Sequence, residues 1–181
     1  KARGDGWKSV PKIFFPEGTY IVKEALLNGS KYTAHKFTIE GASYTNTVIK
    51  ASAECPILFP NNDSYGFTQI SNITFEGADH TQTFMEVLGG SAGNAQSMYF
   101  HRCYFRQFHT ILKLGKVANA TTMASETLLS ECKISNCGTA TNPCELFVLD
   151  NQQSVNNRFY ATDIESFVGV LFKYKEGNAI T

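Results

Sequence analysis

Seven side chains in this sequence have the types and spacing that work on a polymeric sugar would need. Arg102, Tyr104 and Arg106 alternate along one short segment, Glu131 and Lys133 along a second, and Asp163 and Glu165 along a third. Two carboxylates two residues apart on one strand face stand roughly 6–8 Å apart by strand rise, close to the separation at which glycosidases place an acid and a base. Glu131 would lie one rung away. Glu131, Asp163 and Glu165 are therefore the candidate catalytic groups, and Arg102, Tyr104, Arg106 and Lys133 the candidate substrate-binding groups. Eliminative cleavage of a uronic acid would use the same set differently. Arg102, Arg106 or Lys133 would act as base, with Glu131 and Asp163 as ligands to a calcium ion that neutralises the sugar carboxylate; hydrolysis would need no cofactor. The competing reading is ordinary cross-strand pairing, Arg102 with Glu131 and Lys133 with Asp163, worth roughly a few tenths of a kcal/mol each. Glu145 and Asp150 flank the apolar run Leu146–Leu149, whose facing the spacing leaves open. His101 and His109 are expected at corners of the chain path.

An internal repeat places these residues. Four segments superpose without gaps, Ile70–Ala78, Phe100–Phe108, Leu129–Cys137 and Phe159–Phe167, and the interval between them is nearly constant. A looser copy, Phe37–Ala42, precedes them and aligns Phe37 with Ile73 and Ile39 with Phe75. Apolar or small residues alternate with polar ones in each copy, the period of a half-buried strand. A second apolar strand follows in each unit: Thr47–Ala51, Phe84–Leu88, Ile111–Leu114, Leu146–Leu149 and Val170–Phe172. Loops rich in Gly, Asn and Ser, such as Gly89–Gln96 and Asn151–Asn157, separate the units, and Val117–Ser125 reads as a loop or a single turn.

A leucine-rich repeat would show Leu-x-x-Leu-x-Leu, and a propeller blade needs four strands and about 40 residues. What remains is all-β: a right-handed, single-stranded parallel β-helix, a solenoid with about 30 residues per coil and roughly six coils, its strands stacked about 4.8 Å apart. Stacking predicts inward columns Phe37/Ile73/Cys103/Cys132/Thr162 and Ile39/Phe75/Phe105/Ile134/Ile164. It predicts outward columns Asn72/Arg102/Glu131/Ala161, Thr74/Tyr104/Lys133/Asp163 and Glu76/Arg106/Ser135/Glu165. The seven candidate residues thus gather on one face. A solenoid needs capped ends, and neither Lys1–Lys12 nor Asn178–Thr181 reads as a cap. The expectation is one β-helix domain over residues 1–181 that forms part of a longer chain.

Composition agrees with this class and narrows the partners. Lys plus Arg and Asp plus Glu both number 16, so the formal net charge is zero. A phosphate-dominated nucleic-acid binder would be strongly basic, and no apolar run is long enough to span a membrane as a helix. Ser and Thr together number 30 and Asn 13, with 14 Phe and 8 Tyr for bulk. The five cysteines (55, 103, 132, 137 and 144) form no Cys-x-x-Cys pair, and the Cys132, Cys137 and Cys144 set that a zinc site would use has no His near it in sequence, so they read as small core residues and not as a zinc site. Sequons at Asn28, Asn62, Asn72 and Asn119 are about what chance gives in so Asn-rich a chain.

The segment Lys12-Ile-Phe-Phe-Pro16-Glu-Gly18-Thr-Tyr20-Ile-Val resembles the opening motif of the pectate-lyase-like superfamily of right-handed β-helices, in which strand, Pro-x-Gly-x-Tyr and strand make the first coil. Phe37-Thr-Ile-Glu-Gly41-Ala-Ser and Thr47-Val-Ile-Lys-Ala-Ser52 look like its second coil. Pro16 would end ladder pairing and Gly18 would supply a turn conformation closed to other residues. The superfamily holds polysaccharide lyases, glycoside hydrolases, phage tailspikes and inert adhesins, so the resemblance speaks for fold and not for chemistry. Few charges, many aromatics and long loops look most like a bacteriophage tailspike or tail-appendage domain. That resemblance implies a homotrimer on a virion tail, or a secreted or cell-surface protein, that binds or cuts polysaccharide. A non-catalytic receptor-binding or structural β-helix of a fibre or adhesin is the alternative it implies.

Overall fold

The computed structural model describes residues 12–26, 37–60, 67–87, 95–115, 124–150 and 156–174. Every regular element among them is a strand, and every pairing is parallel. The chain winds through three sheets in turn. Sheet A stacks β1 (Lys12–Phe15), β3 (Thr38–Gly41), β6 (Gln69–Ser71), β10 (Tyr99–His101), β14 (Leu128–Ser130) and β17 (Arg158–Tyr160). Sheet B stacks β2 (Gly18–Val22), β4 (Thr47–Ala51), β7 (Thr74–Glu76), β11 (Tyr104–Arg106), β15 (Lys133–Cys137) and β18 (Asp163–Phe167). Sheet C stacks β5 (Ile57–Phe59), β8 (Thr83–Val87), β12 (Thr110–Leu114), β16 (Cys144–Leu149) and β19 (Gly169–Tyr174). A two-stranded sheet of β9 (Ala95–Gln96) and β13 (Ala124–Ser125) joins two of the connections that the sequence reads as loops.

The all-β parallel solenoid is therefore as expected, with two corrections. From β3 onward each coil carries three strands, not two, and the first coil contributes β1 and β2 among the described residues. The repeated segment is not one strand but two, β6 with β7 and their equivalents, folded about a single corner residue. Four turns of about 29 residues, from β6 to β19, are regular. The two coils before them are not: Lys12 stands opposite Thr38 and Thr38 opposite Gln69, so the first coil is shorter and the second longer than the regular turn.

The second correction concerns register. Phe75, Phe105, Ile134 and Ile164 form one interior file as predicted. The residue stacked on Phe75 at the start of that file is Ile49, however, not Ile39. Ile39 belongs to sheet A and pairs with Ile70 and Ile13. Phe37–Ala42 thus aligns with the strand before the corner, and Thr47–Ala51 is a sheet B strand. The irregular interval between the looser copy and the next one arises from matching strands of different sheets.

The corners are set by backbone conformation. Among the described residues, non-glycine residues with left-handed φ fall into three columns, His80 excepted. They are Phe67/Ser97/Glu126/Asn156 ahead of sheet A, Asn72/Arg102/Glu131/Ala161 between sheets A and B, and Gln107/Asn136/Ser166 at the far end of the sheet B strands. Each such residue costs of order 1 kcal/mol in strain. Asn72, Ser97, Arg102, Gln107 and Glu131 also bond to the next coil, Arg102 N–H donating to the Ser130 carbonyl at 3.0 Å and Glu131 N–H to the Tyr160 carbonyl at 2.9 Å. Asn72, Arg102, Glu131 and Ala161 are therefore corner residues, not members of an outward strand column.

The opening motif behaves as its residues dictate. Gly18 has φ 147°, a value closed to most side chains, and Tyr20 Oη donates to the Pro16 carbonyl at 3.0 Å. The core is aromatic. Phe84 of sheet C meets Phe59, Phe75, Phe100, Phe105 and Phe108 at centroid distances of 4.7–5.9 Å. Phe75 and Phe105 stack at 5.7 Å and 13°. The cysteines are free and buried. Cys103 Sγ donates to the Ile70 carbonyl, Cys132 Sγ to the Phe100 carbonyl and Thr162 Oγ1 to the Leu129 carbonyl, three equivalent bonds on three rungs. Burial pushes the Cys103 thiol well up and the Cys137 thiol to about 11, which makes both poor nucleophiles. In both respects they are core residues, as expected.

Position along the interior file sets what truncation costs. Phe105 is wholly buried between two rungs and Ile164 half-buried on the last described one. Phe105→Ala is expected to cost about 3–5 kcal/mol and Ile164→Ala clearly less, read from denaturant midpoints of the two variants. Equal losses would mean that the file does not run through the body in this order.

Candidate functional site

Parallel stacking brings the seven candidate residues together on and beside the outer face of sheet B. Tyr104, Lys133 and Asp163 form one outward column, and Arg106, Ser135 and Glu165 the next. Arg102 and Glu131 flank them at the corner with sheet A. The spacing along each column is the rung spacing of about 4.8 Å.

Paired charges hold this face. Arg102 Nε donates to Glu131 Oε2 at 2.9 Å, with both side chains about half exposed. Lys133 Nζ lies 2.6 Å from Glu165 Oε1. The expected partner, Asp163, stands directly opposite Lys133 but has the shorter side chain, and the long lysine reaches diagonally to Glu165 instead. Tyr104 lies under this network. The Arg106 guanidinium is 5.5 Å and the Lys133 ammonium 5.7 Å from its ring centroid, and its hydroxyl is 2.6 Å from Ser135 Oγ. Its ring is a cation-binding base, not a bare platform.

The most buried charge on the face is Glu76. Arg106 donates to its Oε2 through Nε at 2.8 Å and Nη2 at 2.5 Å, and Lys50 binds Oε1. Partial burial would raise the Glu76 carboxyl, but the bonds and charges of Lys50 and Arg106 outweigh it and hold the group below its ordinary value. Lys50 is the member that sequence reasoning misses. Placing Thr47–Ala51 in the wrong strand class removes it from the column in which it lies, directly before Glu76. Thr74 Oγ1 adds a bond of 2.5 Å to the Tyr44 carbonyl, which fixes the turn between β3 and β4 against the same face.

The chemistry open to these groups follows from their partners. The bond from Arg102 holds Glu131 below the usual carboxylate range, the opposite of what a general acid needs. Glu165 holds Lys133 protonated to higher pH, the opposite of what an eliminating base needs. Among the described residues no group of three or more His, Cys, Asp or Glu could hold a metal ion. The other carboxylates lie elsewhere: Glu145 faces out of sheet C and pairs with Lys173 at 2.5 Å, and Asp150 is buried at the end of β16. His109 sits before β12 at a corner with Nδ1 2.9 Å from Thr110 Oγ1, whereas His101 ends β10 on the outer face of sheet A. Of the sequons only Asn72 lies within the described residues, at a sheet A/B corner.

No family of known proteins, no curated protein and no solved structure matches the chain.

Because Glu76 is depressed in the folded state, its contribution is complete above the ordinary value of 4.5 and is lost as pH falls through the lower folded value. Glu76→Gln is expected to lose about 1–3 kcal/mol at neutral pH. The gap to the unsubstituted chain should close as the medium is acidified, since the protonated carboxyl and the amide then make similar bonds. Urea unfolding at neutral pH and again well below the ordinary carboxylate value reads both quantities, and a gap that stays constant with pH would remove the ion-pair account.

Proposed function

We propose that this chain is a polysaccharide-binding β-solenoid of the kind found in bacteriophage tailspikes and tail appendages, and that the outer face of sheet B takes part in recognition. The observation that carries this reading is the flat array of Tyr104, Arg106, Lys133 and Glu165, whose donors and acceptors are fixed by one another at rung spacing. An extended glycan presents hydroxyls at regular intervals, and a preorganised polar surface binds it without first ordering its own side chains. Zero net charge also suits a neutral or weakly charged polymer better than nucleic acid.

Binding is favoured over cleavage because Glu131 and Lys133 carry partners that hold them in the wrong protonation state for acid and base work. Hydrolysis by Glu131, Asp163 and Glu165 is the second reading, supported by the register that sets Asp163 and Glu165 on the strand one rung from β15, which Glu131 precedes. The tailspike resemblance further implies a homotrimer.

Capsular and cell-wall polysaccharides, presented as a panel to the chain, are expected to yield at least one ligand. The double variant Tyr104→Ala/Lys133→Ala should weaken it tenfold or more, about 1.4 kcal/mol. Release of reducing ends in the same assay would establish hydrolysis, and its loss in Glu165→Gln would assign the residue. A panel without any ligand refutes the reading, and sedimentation velocity of the same sample shows whether the trimer forms.

A further inference from the structure

The outer face of sheet A differs in kind from that of sheet B. The Tyr99 and His101 rings, both outward on β10, stack at 5.8 Å and 16°. Ser130 pairs with His101 on the next rung and Tyr160 with Ser130 on the rung after. Tyr160 is 67% exposed, whereas Ser130 is small and buried, so a gap floored by serine separates two aromatic positions. They stand two rungs apart, about 10 Å, the repeat of a disaccharide in an extended chain. Unlike Tyr104, the Tyr160 ring has no cation over it among the described residues.

The same strand supplies a charge. Arg158, two residues before Tyr160, projects to the same side and is exposed. With Glu126, Thr127, Leu128 and Asn156 it lines a shallow recess of about 250 Å³. Every other cation on the described strands has a carboxylate within 4.0 Å: Lys12 with Glu40, Lys50 and Arg106 with Glu76, Lys113 with Glu86, Lys133 with Glu165 and Lys173 with Glu145. Arg158 has none among the described residues. The acid in the recess, Glu126, accepts instead from the Ser97 hydroxyl at 2.8 Å. A guanidinium without a carboxylate partner offers a planar two-pronged donor to a carboxylate from outside.

We infer that the outer face of sheet A binds a glycan carrying one carboxylate per disaccharide, with sugar rings over Tyr160 and beside Tyr99 and His101 and the uronate at Arg158. Charge complementarity selects the acid, and the two-rung spacing selects its repeat. This rests on the polysaccharide reading above but names a separate surface and a ligand class.

The test uses the whole chain, titrated calorimetrically with hyaluronan oligosaccharides, in which glucuronate alternates with N-acetylglucosamine, and with the same oligosaccharides after reduction of their carboxyl groups. Arg158→Gln is expected to weaken the acidic oligomer about tenfold and leave the reduced one unchanged. Tyr160→Ala should weaken both. Both residues are exposed, and a circular-dichroism spectrum matching the unsubstituted chain shows that each variant is folded. If the acidic oligomer does not bind the unsubstituted chain, or binds Arg158→Gln and Tyr160→Ala as tightly as it, the inference is overturned. Loss of both oligomers in Arg158→Gln overturns the carboxylate assignment. Should other glycans still bind through sheet B in those cases, the broader reading stands; a chain that binds no glycan at all loses both.

Discussion

Parallel backbone hydrogen bonding between residues one coil apart is the constraint on which the rest of this structure depends. A parallel rung offers every side chain a translated copy of its own position, so an interior apolar residue must be followed by another one coil later. Phe75, Phe105, Ile134 and Ile164 satisfy this with large side chains. The Cys103, Cys132 and Thr162 column satisfies it with small ones, each donating to the same carbonyl of the coil before. A thiol and a hydroxyl are interchangeable there because the column asks only for a small donor.

The corners show what stacking demands of the backbone. Three sheets meet at angles that an extended chain cannot turn without at least one residue leaving the β region. The fold places that residue at the same point in successive coils. Asn72 and Asn136 suit the left-handed conformation, but Phe67, Arg102, Glu131 and Ala161 adopt it as well. Their local preference is overridden by the ladder bonds on both sides, a tertiary decision that residue type alone does not show. Arg102 and Glu131 gain from it, since the bend presents the two side chains together at the edge of the face.

Much of the fold is legible in the sequence because the repeat is nearly gapless from Ile70 onward, and gapless spacing survives any error about where strands begin. The alternation across Ile70–Ala78 looks like a single strand because the corner residue takes the place of one outward residue, which hides the turn from a period-two reading. Before Ile70 the coil length departs from the regular spacing, and there the alignment slips by one strand class. That single slip misplaces Ile39 and conceals Lys50 as the partner of Glu76. Columns of the candidate site are legible for the same reason as the core. Partner choice within them is not, because the diagonal from Lys133 to Glu165 depends on side-chain length and not on register.

The two outer faces then differ in how far their side chains answer one another. On sheet B nearly every charge is answered by a neighbour, so the face is electrostatically closed, and its aromatic ring is already covered by cations. Its donors and acceptors are held in place by bonds the protein makes to itself. On sheet A the rings of Tyr99, His101 and Tyr160 and the guanidinium of Arg158 are not so answered. Outward residues do not contribute to the interior file, so the fold places no demand on them beyond tolerating a strand. Unpaired charge and exposed aromatic surface on such positions are therefore free to vary, and their clustering at rung spacing on sheet A is what the proposed repeating glycan would match.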